Sequence, residues 1–138
     1  MAIPAAVRVA DCGSGLHRAV PAGLPAAVQL CLLSRYRGYG QSTGKPTEEG
    51  TYRDARAAWD YLVHERVIEP DRIVLFGRSL GGAVSASLAS RTQPAALVLD
   101  SSFTSARAMA GRMFPFLPVR LLSRFRYDTL AAVRRVKC

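Results

Sequence analysis

The feature that most limits how this chain can fold is a short apolar run that ends in glycine. Arg72-Ile73-Val74-Leu75-Phe76 is rich in β-branched and aromatic side chains and reads as a strand. Gly77-Arg78-Ser79-Leu80-Gly81 follows directly, Gly82 comes next, and Leu80 to Ser90 reads as an alanine-rich helix. This order, strand then Gly-x-Ser-x-Gly then helix, suits a sharp turn that holds a serine hydroxyl clear of the backbone. Side chains beside such a turn would collide, which explains glycine at 77 and 81. The helix that starts there aims N–H groups at the turn, so the Leu80 N–H is a candidate oxyanion donor. A bare Gly-x-Ser-x-Gly also arises by chance in loops. The strand before it and the small-residue helix after it separate the two cases. Ser79 is therefore the candidate nucleophile.

Two phosphate-binding alternatives fail on spacing. A P-loop requires glycine, four residues, then Gly-Lys-Ser/Thr, but Gly44-Lys45 is followed by Pro46. A dinucleotide fingerprint requires Gly-x-Gly-x-x-Gly, but the loop reads Gly38-x-Gly40-x-x-x-Gly44.

The rest of the chain alternates strands and helices, which predicts a mostly parallel sheet with flanking helices, an α/β fold. Met1 to Pro25 is rich in Ala, Pro and Gly and shows neither helical nor strand period, so residues 1–30 read as an unpatterned segment and 31–138 as the domain. Ala26 to Leu33 reads as a buried strand, before the glycine-rich loop. A helix follows, with Thr51 as its cap and Asp54 completing a capping box. Tyr52, Ala55, Trp59, Leu62 and Val63 recur at helical spacing and make its apolar face. Ala95 to Leu99 reads as a second buried strand and Asp100-Ser101-Ser102 as a turn. Helical segments are expected around Thr104 to Met113 and Val119 to Arg126, parted by Pro115 and Pro118.

Composition narrows the function classes. The 138 residues are 49% hydrophobic and 21% charged, an ordinary balance for one domain. The net charge of +9 invites a nucleic-acid or anionic-membrane reading. The arginines, however, are spread between apolar residues, as on solvated helix faces, so no nucleic acid is expected and membrane-surface association is the alternative. Cys12, Cys31 and Cys138 form no Cys-x-x-Cys pair, so neither a disulfide framework nor a metal is expected and a reducing cytoplasm is the default setting. No apolar run approaches the ~20 residues that span a bilayer. No cofactor is expected.

Three motifs carry a resemblance. They are Tyr36-Arg37-Gly38-Tyr39-Gly40-Gln41-Ser42-Thr43-Gly44-Lys45-Pro46, Phe76-Gly77-Arg78-Ser79-Leu80-Gly81-Gly82, and Ser102-Phe103-Thr104-Ser105. In this order they resemble the serine-aminopeptidase-like α/β-hydrolases, a group that includes the eukaryotic α/β-hydrolase-domain proteins. Phe114-Pro115-Phe116-Leu117-Pro118-Val119-Arg120 is also similar, so the likeness runs from about Leu33 to Cys138. It implies a partial α/β-hydrolase fold and a serine hydrolase acting through an acyl-enzyme on an ester, thioester or peptide.

Such hydrolases order their triad Ser, then Asp or Glu, then His. No histidine lies between Leu80 and Cys138; His17 and His64 both precede Ser79. His17 is followed by Arg18, so it does not match the His-Gly segment that the resemblance implies for the second oxyanion donor. Asp100 follows a strand, at the end where ligand sites form in open sheets, which makes it a candidate acid, although a turn or cap role competes. The resemblance places the acid one strand later. The expectation is a fragment of a hydrolase that lacks the triad acid and histidine and is weakly active or inactive. The alternative is a non-catalytic interaction module on the same core. Exposure of Val98, Leu99, Phe116 and Leu117 is expected to favour aggregation.

Overall fold

The computed structural model describes residues 7–11, 30–34, 45–116 and 125–138. Two strands, β1 (Val7–Asp11) and β2 (Leu30–Ser34), pair antiparallel with Val7 opposite Ser34 and Asp11 opposite Leu30. β1 lies in the stretch read as having no period. Val7 and Val9 supply its β-branched positions, but five residues between Ala, Pro and Gly are too few to show an alternation. β2 occupies the end of the strand expected over Ala26 to Leu33.

The next element, α1 (Glu48–Asp60), begins earlier than its apolar pattern suggests. Thr47, not Thr51, is the cap: its backbone is extended and its hydroxyl accepts from the Gly50 N–H at 3.1 Å. Glu48 and Glu49 fill the first turn, where carboxylates meet the positive end of the helix dipole. Gly50 is a poor helix former and sits in that turn, so propensity alone hides the true start. Thr51 and Asp54, expected to make a capping box, are instead buried inside the helix. The Thr51 hydroxyl donates to the Glu48 carbonyl at 2.7 Å.

Ala55, Trp59 and Leu62 form the buried stripe of this face, flanked by Tyr52 and Val63. The helix widens into a π-helical turn over Tyr61–Glu65, and a 3₁₀ turn, Pro70–Arg72, leads into β3 (Val74–Arg78). α2 (Leu80–Ala89) follows, then β4 (Ala96–Asp100), α3 (Ala106–Met113) and α4 (Thr129–Val133). Ser105 caps α3 by accepting from the Ala108 N–H at 3.1 Å. The helix expected over Val119 to Arg126 lies mostly outside the described residues.

β3 and β4 pair in parallel, with Val74 opposite Ala96 and Arg78 opposite Asp100. One core cluster joins Ala55 of α1, Ala83 and Val84 of α2, and Tyr127. A second joins Trp59, Leu62 and Ile73, with Leu75 and Leu88 packed against it. Ala83, Ala86 and Ala89 are almost wholly buried, because only small side chains let α2 approach its neighbours this closely.

The segment that carries Tyr127 is tied to α1 by one carboxylate. Glu48 accepts from the Arg126 N–H at 2.6 Å, from the Tyr127 N–H at 3.0 Å and from the Tyr52 hydroxyl at 3.0 Å. The Tyr127 and Thr51 hydroxyls lie 3.2 Å apart, and the Tyr52 and Tyr127 rings meet edge to face. Among the residues expected to be exposed, Phe116 is 98% accessible; Val98 and Leu99 are half-buried, and Leu117 lies outside the described residues.

Candidate active site

The chain reverses from strand to helix within two residues at Ser79. Ser79 ends the turn between β3 and α2 with φ 52° and ψ −117°. A side chain adopts this region only at a cost of about 1–3 kcal/mol, so the surroundings must over-determine it. They do so from both sides. The Ser79 N–H donates to the Asp100 carbonyl at 3.1 Å, which extends the β3–β4 ladder one residue into the turn. The Ser79 carbonyl accepts from the Gly82 N–H at 3.0 Å, which starts the helix.

The glycines make this approach possible. A Cβ on Gly77 would meet the Gly81 carbonyl oxygen and come within 2.6 Å of the Gly82 Cα. A Cβ on Gly82 would overlap the Ser102 hydroxyl and lie 2.8 Å from the Ser102 Cβ. The tight contacts therefore fall at Gly77 and Gly82, where α2 crosses the ends of both strands.

Ser79 is exposed at the carboxyl edge of the sheet, and α2 starts at Leu80 with its N-terminus at the turn. The free N–H groups of a first helical turn favour negative charge, as an oxyanion site requires. Among the described residues no base or carboxylate is hydrogen-bonded to the Ser79 hydroxyl. His64 is exposed in the π-helical turn before β3. No hydrogen bond links it to Ser79 among the described residues. His17 lies outside the described residues.

Asp100 stands in register with Arg78 at the strand ends. Its carboxylate accepts from the Ser101 hydroxyl at 2.8 Å and lies 3.4 Å from the Arg78 Nε. Ser101 also has a left-handed backbone, φ 50°, so two strained serines sit side by side at the ends of neighbouring strands. These partners give Asp100 a turn-stabilising place, and no histidine is among them. The sequence reading identified the Asp100-Ser101-Ser102 turn but not the Arg78 pairing. Register between two strands decides that contact, and no local pattern encodes it.

Beyond the end of β4 lies an open groove of about 400 Å³, lined by Leu99, Ser102, Phe103, Thr129 and Leu130 among others. The Thr129 hydroxyl is buried with no hydrogen-bond partner. Neither this groove nor the turn gathers metal ligands: no group of three His, Cys, Asp or Glu side chains suited to a metal occurs among the described residues.

The family model described as the alpha/beta hydrolase fold matches residues 12–136. The chain is 44% identical over 105 residues to Uncharacterized protein Rv2307c of Mycobacterium tuberculosis, covering 76% of this chain and 37% of that protein. It is 50% identical over 84 residues to Alpha/beta hydrolase domain-containing protein WAV2 of Arabidopsis thaliana, covering 59% of this chain and 27% of that one. It is 43% identical over 75 residues to the human Alpha/beta hydrolase domain-containing protein 17B, covering 54% and 26%. The crystal structure of an α-β hydrolase from Vibrio vulnificus superposes with a TM-score of 0.66 at 27% identity, over 78% of this chain and 42% of that one. The chain thus spans between about a quarter and two fifths of the length of these relatives. With the family's fold matched along nearly all of its length and the strand–turn–helix at its centre, the chain belongs to the α/β-hydrolase fold family.

Proposed function

We propose that Ser79 is the nucleophile of a serine hydrolase that cleaves an ester, thioester or peptide through an acyl-enzyme. The observation that carries this reading is the Ser79 backbone at φ 52° and ψ −117° between β3 and the N-terminus of α2. A positive φ at an exposed serine between a strand end and a helix start suits a hydroxyl held out for attack. In the proposed reaction the Ser79 oxygen attacks the carbonyl carbon while a base takes its proton. The Leu80 N–H receives the oxyanion, the intermediate expels the leaving group, and water then releases the acyl group. Gly77, Arg78, Gly81 and Gly82 form the turn that fixes this geometry. A small-molecule or acyl substrate suits the open edge, no cofactor enters any step, and a reducing cytoplasm is the proposed setting.

The base belongs to a histidine that residues 80–138 do not contain. Removing such a histidine lowers turnover by about 10⁶, on the order of 8 kcal/mol of barrier. The 138 residues alone are therefore proposed to be a weakly active or inactive piece of the catalytic unit. Asp100 serves the turn, since its carboxylate is taken up by Arg78 and Ser101. The missing histidine equally favours the second reading, a non-catalytic interaction module on a hydrolase core. A fluorophosphonate probe separates the two. In a longer protein that carries these residues together with a histidine after Ser79, the probe labels Ser79 under the first reading. Absence of labelling in a folded sample supports the second.

A further inference from the structure

Two helices face each other with the same spacing. Tyr52 and Arg56 stand four residues apart on α1; Ser87 and Arg91 stand four apart on α2 and the turn that ends it. Each pair therefore shares one helix face. These four residues and Leu88 line a hollow of about 160 Å³ between the two elements. The backbone acceptors at the end of α2 are already served. The Ser87 carbonyl accepts from the Ser90 hydroxyl at 2.8 Å. The Leu88 carbonyl accepts from the Arg91 N–H at 3.0 Å and the Thr92 hydroxyl at 2.8 Å. The Arg91 guanidinium is thus not spent on capping the helix. It lies over the Tyr52 ring, 5.9 Å from the centroid, and pairs with no carboxylate among the described residues. Arg56 gives its Nε to both Asp60 oxygens, at 2.9 and 3.1 Å, which leaves its two terminal nitrogens for another acceptor. Ser87 is only 8% accessible, and its hydroxyl makes no hydrogen bond among the described residues. A buried hydroxyl without a partner is costly, and beside two guanidinium groups it points to a ligand that accepts hydrogen bonds.

We propose that this hollow binds a phosphate group, free or as a monoester, through Arg56, Ser87 and Arg91. The donors come from three positions on two elements. A phosphate monoester carries three strong acceptor oxygens and can meet all of them, whereas a carboxylate has two. The planar fork of each arginine suits an oxyanion, which it can hold through two bonds at once. Size agrees with a single ionic group. Pockets for whole small molecules run to roughly 300–1,000 Å³, and this hollow holds about half the lower figure. Tyr52 offers its ring face, since its hydroxyl is turned to Glu48 at 3.0 Å. Both guanidinium groups are exposed, so water screens them and a Kd on the order of 1 mM is expected. The proposal is independent of the role of Ser79.

The test is equilibrium binding of inorganic phosphate and of phenyl phosphate to the 138-residue chain at constant ionic strength, with acetate as the carboxylate comparator. Saturable binding of phosphate is expected, at least about fivefold tighter than that of acetate. Ser87→Ala suits an alanine-rich helix, so the fold is kept, as circular dichroism checks, and phosphate affinity falls about fivefold. Arg91→Gln is expected to lower it at least about tenfold. Arg53→Gln, exposed elsewhere on α1, is expected to leave it unchanged. Tighter binding of phenyl phosphate than of inorganic phosphate assigns the site to a monoester, and equal affinities assign it to the free ion. Three results overturn the proposal. They are no saturable phosphate binding by a folded chain, phosphate binding that both Ser87→Ala and Arg91→Gln leave intact, and acetate bound as tightly as phosphate.

Discussion

At the scale of single residues, the turn at Ser79 is a problem of space before it is one of chemistry. Ser79 can hold its left-handed backbone only because α2 crosses the strand ends with no Cβ in the way at Gly77 and Gly82. Gly82→Ala forces a methyl into the Ser102 side chain and is expected to destabilise the fold by about 1–3 kcal/mol, read from urea unfolding. Adding Ser102→Gly to that variant removes the opposing Cβ and should recover most of the loss. Additive losses in the double variant would show that the two positions do not press on each other. The Gly-x-Ser-x-Gly spacing made the turn legible in the sequence. The partner of Gly82, twenty residues on, was not legible, because nothing local to Ser102 reports which strand lies beside it.

At the scale of elements, helix faces were easier to read than helix ends. The stripe through Ala55, Trp59 and Leu62 is the buried one, because amphipathic spacing follows directly from 3.6 residues per turn. The cap of α1 was misplaced by four residues, because Thr47 and Thr51 are equally good capping side chains and only the backbone decides between them. The Glu48 latch escaped the sequence altogether: its acceptors serve backbone N–H groups at Arg126 and Tyr127, and backbone groups have no sequence signature. Glu48→Ala leaves those two N–H groups without their partner and is expected to cost about 1–3 kcal/mol. Hydrogen exchange should show the loss concentrated at Arg126 to Leu130, ahead of α1 itself. Uniform loss of protection along α1 would mean that Glu48 acts through helix propensity alone.

At the scale of the whole molecule, one titration couples α1, the 127 segment and pH. Tyr52 has its phenol pushed well above the ordinary value near 10, first by burial, then by the hydrogen bond it donates to Glu48 and by that carboxylate's charge, against a smaller opposing effect of Arg91. A group whose pKa is raised on folding stabilises the fold while it stays protonated in both states. The contribution is therefore full below about pH 10, where unfolded tyrosine begins to ionise, and is lost as pH climbs further. Tyr52→Phe should flatten this alkaline decline, and an unchanged slope between about pH 9 and 11 would remove Tyr52 as its source. The family and the fold at the centre of the chain were readable from ordered motifs, whereas β1 was not, because its five residues carry no alternation long enough to detect. The proposed function rests on Ser79. The most direct measurement is hydrolysis of a small activated ester, made on this chain, on a longer relative that carries the same turn and a later histidine, and on Ser79→Ala in each. The expected result is enzymatic turnover by the longer protein that Ser79→Ala abolishes, with the 138 residues giving at most about 10³ to 10⁴ over water. Turnover by the longer protein that survives Ser79→Ala would contradict the assignment of Ser79 as the nucleophile.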